Sequence, residues 1–150
     1  MKRNFIFVFI LLLATLSMAK IKFGPCPVDP VINPKTSLLT VDLNPDPVIP
    51  GKTVDVTFSG SLNVDIPANS RNDLVAQVAF LDSSDSPIVD PFTTEFCTFG
   101  GITCPMKSGT AFKAVHMQVP VPGNLAKGDS IAVAILQDNF IACAGSSPIP

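Results

Sequence analysis

The chain contains no tryptophan and no tyrosine, one histidine, His116, and one glutamate, Glu95. A lone imidazole and the absence of any Cys-x-x-Cys leave too few soft ligands at short spacing for a zinc centre. A single glutamate excludes paired-glutamate glycosidase chemistry, and no aspartate pair sits in a supporting motif. No G-x-S-x-G or comparable nucleophile turn accompanies His116, which reads as an ordinary surface or edge histidine between Val115 and Met117. Asp82, Asp85 and Asp90 crowd one region but lack the D-x-D-x-D spacing and closing glutamate of a calcium loop, so a solvated turn is expected. No N-x-S/T sequon occurs, so N-glycan-dependent sorting has no acceptor. The expectation is no catalytic residue, no metal, no cofactor and no enzyme activity.

Long apolar runs are equally scarce. The longest, Phe5–Leu16, follows Lys2 and Arg3 and precedes Ser17 and Ala19, small residues at the −3 and −1 positions of a cut before Lys20. It would span about 18 Å as a helix, short of the roughly 20 residues a bilayer core requires. Residues 1–19 therefore read as a signal peptide and 20–150 as one domain, with no membrane span. Removing the leader leaves eight basic residues against twelve acidic ones. Those few cations are scattered, which excludes the gathered Lys and Arg of a nucleic-acid binder or a polybasic membrane patch.

All four cysteines, Cys26, Cys97, Cys104 and Cys143, lie beyond the leader, and an even count in a secreted chain implies two disulfides. Three pairings are possible. Cys97–Cys104 is favoured, because the loop between them includes Gly100 and Gly101, and Cys26–Cys143 follows by elimination. In the chain-entropy model the short loop contributes about 2.5 kcal/mol and the long one about 4.7 kcal/mol.

All fifteen prolines and nine glycines also follow residue 19, punctuating short apolar runs. That pattern predicts strands and turns rather than long helices. Lys20–Thr36, rich in proline, suits an extended segment with at most a short edge strand. Ser37–Leu43 alternates, with Leu39, Val41 and Leu43 on one face. Val54, Val56, Phe58, Leu62, Val64 and Ile66 share one parity, as in a strand pair or one long bent strand, with Gly60 placed for a bulge. Leu74–Leu81 reads as a central strand, Pro87–Cys97 as an edge, and Phe112–Val121, Ser130–Gln137 and Phe140–Cys143 as further strands. About seven antiparallel strands in two sheets predict an all-β, immunoglobulin-like sandwich without internal repeats.

The order Phe96-Cys97 to Cys104-Pro105-Met106, then Lys107-Ser108-Gly109-Thr110, Val119-Pro120-Val121, Ile131–Leu136 with Gln137-Asp138, and last Cys143 resembles the ML family of secreted lipid-recognition domains. That family includes a lysosomal cholesterol carrier and phosphatidylglycerol/phosphatidylinositol transfer proteins. Upstream, Val48–Lys52 leading into Val54–Phe58 fits the family's second strand, so the resemblance spans nearly the whole mature chain. Many members have a third disulfide near the first strand, which this chain lacks, and sterol carriers have an aromatic where Leu125 stands here.

The resemblance implies a monomer holding one lipid, a phospholipid or a sterol, between splayed sheets, with transient membrane contact and a destination outside the cell or in the endolysosomal lumen. Leu125 inclines the reading toward a phospholipid. Burying on the order of 300 Å² of hydrocarbon at about 25 cal/mol per Å² gives roughly 7 kcal/mol gross. Strand parity points Phe58, Leu62, Val64, Val78 and Phe80 to the interior. Motif position puts Phe92, Phe96, Val121 and Leu125 at the pocket mouth. The alternative is a secreted recognition module with a filled core, acting through its surface.

Overall fold

A computed structural model describes residues 20–26, 36–68, 74–98 and 102–150. The expected leader 1–19, the centre of the proline-rich segment, most of the polar loop before Leu74 and Gly100–Gly101 lie outside the described residues. Nine strands are described: β1 Phe23–Gly24, β2 Ser37–Leu38, β3 Thr40–Asn44, β4 Thr53–Ser61, β5 Val75–Leu81, β6 Phe92–Glu95, β7 Ala111–Pro120, β8 Ser130–Leu136 and β9 Phe140–Ser146. They form a small sheet, β3-β4-β7, and a larger one, β1-β9-β8-β5-β6, with β2 added in parallel to β9. Apart from β2, every pairing is antiparallel. The order reproduces the A-B-E and C′-C-F-G arrangement of an immunoglobulin-like sandwich.

Alternation explains which faces meet. On β5, Ala76, Val78 and Phe80 are fully buried, as are Ile131, Val133 and Ile135 on β8; Val54, Val56 and Phe58 face them from β4. These residues and their neighbours make one core cluster. The small sheet's other face carries Asp42, Asp55, Thr57, Lys113, His116 and Gln118, the polar side of a half-solvated antiparallel sheet.

The β4–β7 register shifts between Phe58 and Gly60, where the pattern predicts a bulge. A Cβ on Gly60 would lie 3.3 Å from Leu39 Cδ2 and 3.4 Å from the Leu38 carbonyl oxygen, so the bulge admits a close neighbour. The long-strand reading of residues 53–66 needs correction at its far end. β4 stops at Ser61; Leu62 and Ile66 stay buried, but Ile66 bridges to Met106 instead of continuing a ladder. Residues 37–43 are likewise two strands. The chain passes from β2 in the large sheet to β3 in the small one, with Leu39 buried between them.

Candidate functional site

Cys26 is bonded to Cys143 and Cys97 to Cys104, with Cα separations of 5.8 and 5.5 Å, the pairing that loop closure favours. The first staples the start of the domain to β9. The second closes the loop leaving β6, the edge of the large sheet.

Of the nine residues expected at the site, Phe58, Leu62, Val78, Phe80, Phe96, Val121 and Leu125 belong to the buried cluster, and Val64 and Phe92 pack against it half-buried. The structure gathers all nine in the apolar layer between the sheets, but the four expected at a mouth do not form one patch. Phe96 donates its amide to the Leu74 carbonyl and meets Phe112 edge-to-face at 5.2 Å, which places it at the end where β4 finishes and β7 begins. Val121 exchanges backbone hydrogen bonds with Gly51 and Lys52 at the opposite end, where β4 begins. Leu125 joins Pro47, Val48 and Ile149 there, around a cavity of about 340 Å³. Phe92 lies between, opposite Val78 and edge-on to Phe80 at 6.5 Å.

The interior is closed. Phe58, Phe80 and Phe96 are each no more than 1% exposed. The cavity expected between the sheets is not among the three described, none of which is lined by these phenylalanines.

Pattern reasoning missed a cluster at the β6–β7 side. Ile102, Met106 and Phe112 surround a dimple of about 250 Å³ with Lys113 on its rim, and Phe112 forms the link from this dimple to Phe96 inside. Phe112 lies in a segment legible as a strand, yet its partner Phe96 is fixed by the Cys97–Cys104 loop, which periodicity does not place.

The two sides of the sandwich are built differently. On the β3–β9 side the chain itself crosses between sheets, reinforced by the Leu39 amide donating to the Cys143 carbonyl and the Asn63 amide donating to the Ser37 hydroxyl. On the β6–β7 side the chain crosses through the longer connection from β6 to β7, held to the segment after β4 by the Ile66–Met106 backbone pair and the Gly109 amide on the Leu62 carbonyl. Phe96–Phe112 packing closes the layer beside it.

Electrostatics stay at the surface. Asp65 accepts the Ser108 amide at 2.8 Å and the Lys107 ammonium at 2.9 Å, and these hold its carboxyl below the ordinary range. Asp82 accepts the Ser86 and Ser84 amides, with the same effect, and closes the turn after β5. His116 lies exposed on β7, its Nδ1 2.9 Å from the Thr57 hydroxyl. No group of three potential metal ligands occurs among the described residues.

The fold and its continuous apolar interlayer define a disulfide-stapled β-sandwich organised around a hydrophobic interior, without the side-chain constellation of an active centre among the described residues. The ML domain profile matches residues 20–144, and the chain belongs to the ML-domain family, a lipid-binding and lipid-recognition family that is not enzymatic. A Dictyostelium discoideum protein, provisionally named a phosphatidylglycerol/phosphatidylinositol transfer protein, is 29% identical over 90 residues, 60% of this chain and 59% of that protein. The match thus spans less than two thirds of that relative. Among solved structures, chicken MD-1 complexed with lipid IVa is 14% identical, covering 86% of this chain and 88% of that one, with a TM-score of 0.48. A Niemann-Pick type C2 protein from the Japanese carpenter ant is 16% identical, covering 90% and 96%, with a TM-score of 0.47.

Proposed function

We propose that this chain is a lumenal lipid-transfer protein that takes one lipid between its sheets, carries it through water and delivers it to a second membrane. Residues 1–19 act as its secretory leader, and residues 20–150 work as a monomer that touches membranes transiently, outside the cell or in the endolysosomal lumen. Family membership and the name of the Dictyostelium relative support this reading.

The observation that carries it is the asymmetry of the sandwich. Direct passage from β2 to β3 makes the β3–β9 side a hinge. On the β6–β7 side the sheets are joined by a longer connection, pinned at Ile66–Met106, and the strand edges can part beside the Phe96–Phe112 contact. Parting there admits an acyl chain into a layer lined by Phe58, Leu62, Val64, Val78, Phe80 and Phe92, with Val121 and Leu125 closing its far end. Lys113 on the rim of the outer dimple supplies a cation to an anionic headgroup. With Leu125 at the sterol carriers' aromatic position, phosphatidylglycerol or phosphatidylinositol is favoured over a sterol as the guest.

Delipidated protein incubated with phosphatidylglycerol vesicles should carry one lipid per chain by native mass spectrometry. Lys113→Glu should load more slowly from anionic vesicles while remaining folded. A chain left empty by phosphatidylglycerol, phosphatidylinositol and sterol alike would sink the reading. The closed interior favours the second reading in that event, a secreted recognition module acting through its surface.

A further inference from the structure

The outward face of the large sheet breaks the rule that the small sheet obeys. Outward positions on β5 are Val75, Gln77, Ala79 and Leu81, and on β8 they are Ser130, Ala132, Ala134 and Leu136; Cys143 and Gly145 continue the face on β9. None of these is charged, and only edge strand β6 adds exposed polar residues to the face, Thr93 and Glu95, among the described residues; a solvated sheet face alternates apolar-in with polar-out. Register aligns the smallest side chains. Ala79 stands opposite Ala132, and Ala132 opposite Gly145; one step along, Gln77, Ala134 and Cys143 form a second row.

Ala79 on β5 with Ala132 and Ala134 on β8 make a strip of floor about 5 Å across, its rows about 7 Å apart. On the β9 side it is bounded by Pro25 and Cys26, which lie over Gly145, and by the Cys26–Cys143 disulfide. Leu81, Pro87 and Pro91 rise beside it, with Phe140, Cys26 and Pro148 among the other walls, around a cavity of about 720 Å³. That volume lies within the range of small-molecule sites, roughly 300–1,000 Å³. The charged residues on its lining are the carboxylates Asp82 and Asp85, and no described Lys or Arg lines it.

We infer that this trough is a second ligand site, for a flat, uncharged polycyclic lipid with a hydroxyl group, of the sterol type. A planar ring system matches the strip of Ala79, Ala132 and Ala134, which does not rise beyond Cβ, between Gln77 and the Cys26–Cys143 disulfide. Among the described residues a phosphate headgroup would meet carboxylates and no cation, while a hydroxyl can donate to Asp85, to Asp82 or to the Gln77 side-chain carbonyl. The inference builds on the reading of the chain as a lipid handler but uses the opposite face of the large sheet from the proposed interior guest.

Alanine-methyl NMR on the unsubstituted, secreted chain separates the two sites, because Ala79, Ala132 and Ala134 report the trough while Ala76, Ala142 and Ala144 are fully buried in the core. Dehydroergosterol should shift the first set and leave the second in place. Ala132→Arg, which puts a charge on the apolar floor, should weaken sterol binding by about tenfold or more and leave phosphatidylglycerol loading unchanged. Sterol shifts confined to the core alanines would overturn the proposal, as would trough shifts that track protein concentration without sterol, since the face would then bind a second copy. Phosphatidylglycerol loading with no sterol response removes the trough alone; failure of both lipids removes the transfer reading as well.

Discussion

Asp65 and Asp82 show how single side chains tie down the loops around the sandwich. Each carboxylate is favoured by hydrogen bonds from backbone amides, Ser108 for Asp65 and Ser86 then Ser84 for Asp82, so each folded-state pKa lies below the ordinary 3.8. A depressed carboxyl pKa contributes stability above the unfolded value and loses it as pH falls through the folded value. In a mildly acidic lumen both turns should therefore remain held, loosening only below about pH 4. Carboxyl-carbon NMR titration should place both midpoints below 3.8; a midpoint above that would contradict the hydrogen bonding. In the core, Phe58→Ala should cost about 3–5 kcal/mol in urea unfolding, because Phe58 is 1% exposed and its site cannot collapse fully.

At the scale of elements, the β2-to-β3 passage and the Gly60 bulge act together. Ser37, 6% exposed on β2, receives the Asn63 amide from the segment after β4, and the bulge leaves room for Leu39. Ser37→Ala strands that amide and should cost about 1–3 kcal/mol. Gly60→Val drives a branched side chain toward Leu39 and Phe112 and should cost a similar amount, about 1–3 kcal/mol, through overpacking. Denaturant midpoints measure both. If Gly60→Val leaves the midpoint unchanged, the close approach to Leu39 is not a constraint.

For the molecule as a whole, the two disulfides have separable duties. Cys26–Cys143 spans 117 positions on the hinge side, and Cys97–Cys104 spans seven beside the Phe96–Phe112 contact. Replacing the first pair with alanine should lower stability by about 4–5 kcal/mol, and replacing the second by about 2.5 kcal/mol. Lipid uptake should respond in the reverse order: loss of Cys97–Cys104 frees the β6–β7 side and accelerates loading, while loss of Cys26–Cys143 changes it little in chains that remain folded. Stopped-flow uptake of a fluorescent phospholipid, set beside unfolding curves, tests the pairing of effects. Equal acceleration by both variants would remove the hinge assignment.

Much of the architecture was readable from local order alone, since alternation states which side chains cannot face water. Leu74, Ala76, Val78 and Phe80 share a parity and are all fully buried; Ile131, Val133 and Ile135 do the same, Gly60 marks the bulge, and the proline-rich stretch before Cys97 ends at an edge strand. Alternation is silent on which strand lies beside which. Leu39, Val41 and Leu43 keep one phase although the chain changes sheets among them, and Leu62 and Ile66 keep the phase of β4 after its ladder has ended. Cross-strand register set Phe96 and Val121 at opposite ends of the sandwich, joined Phe96 to Phe112, and aligned Ala79, Ala132 and Gly145 into one row. Such juxtapositions arise from pairing between segments distant along the chain, so they exist only once the sheets have formed.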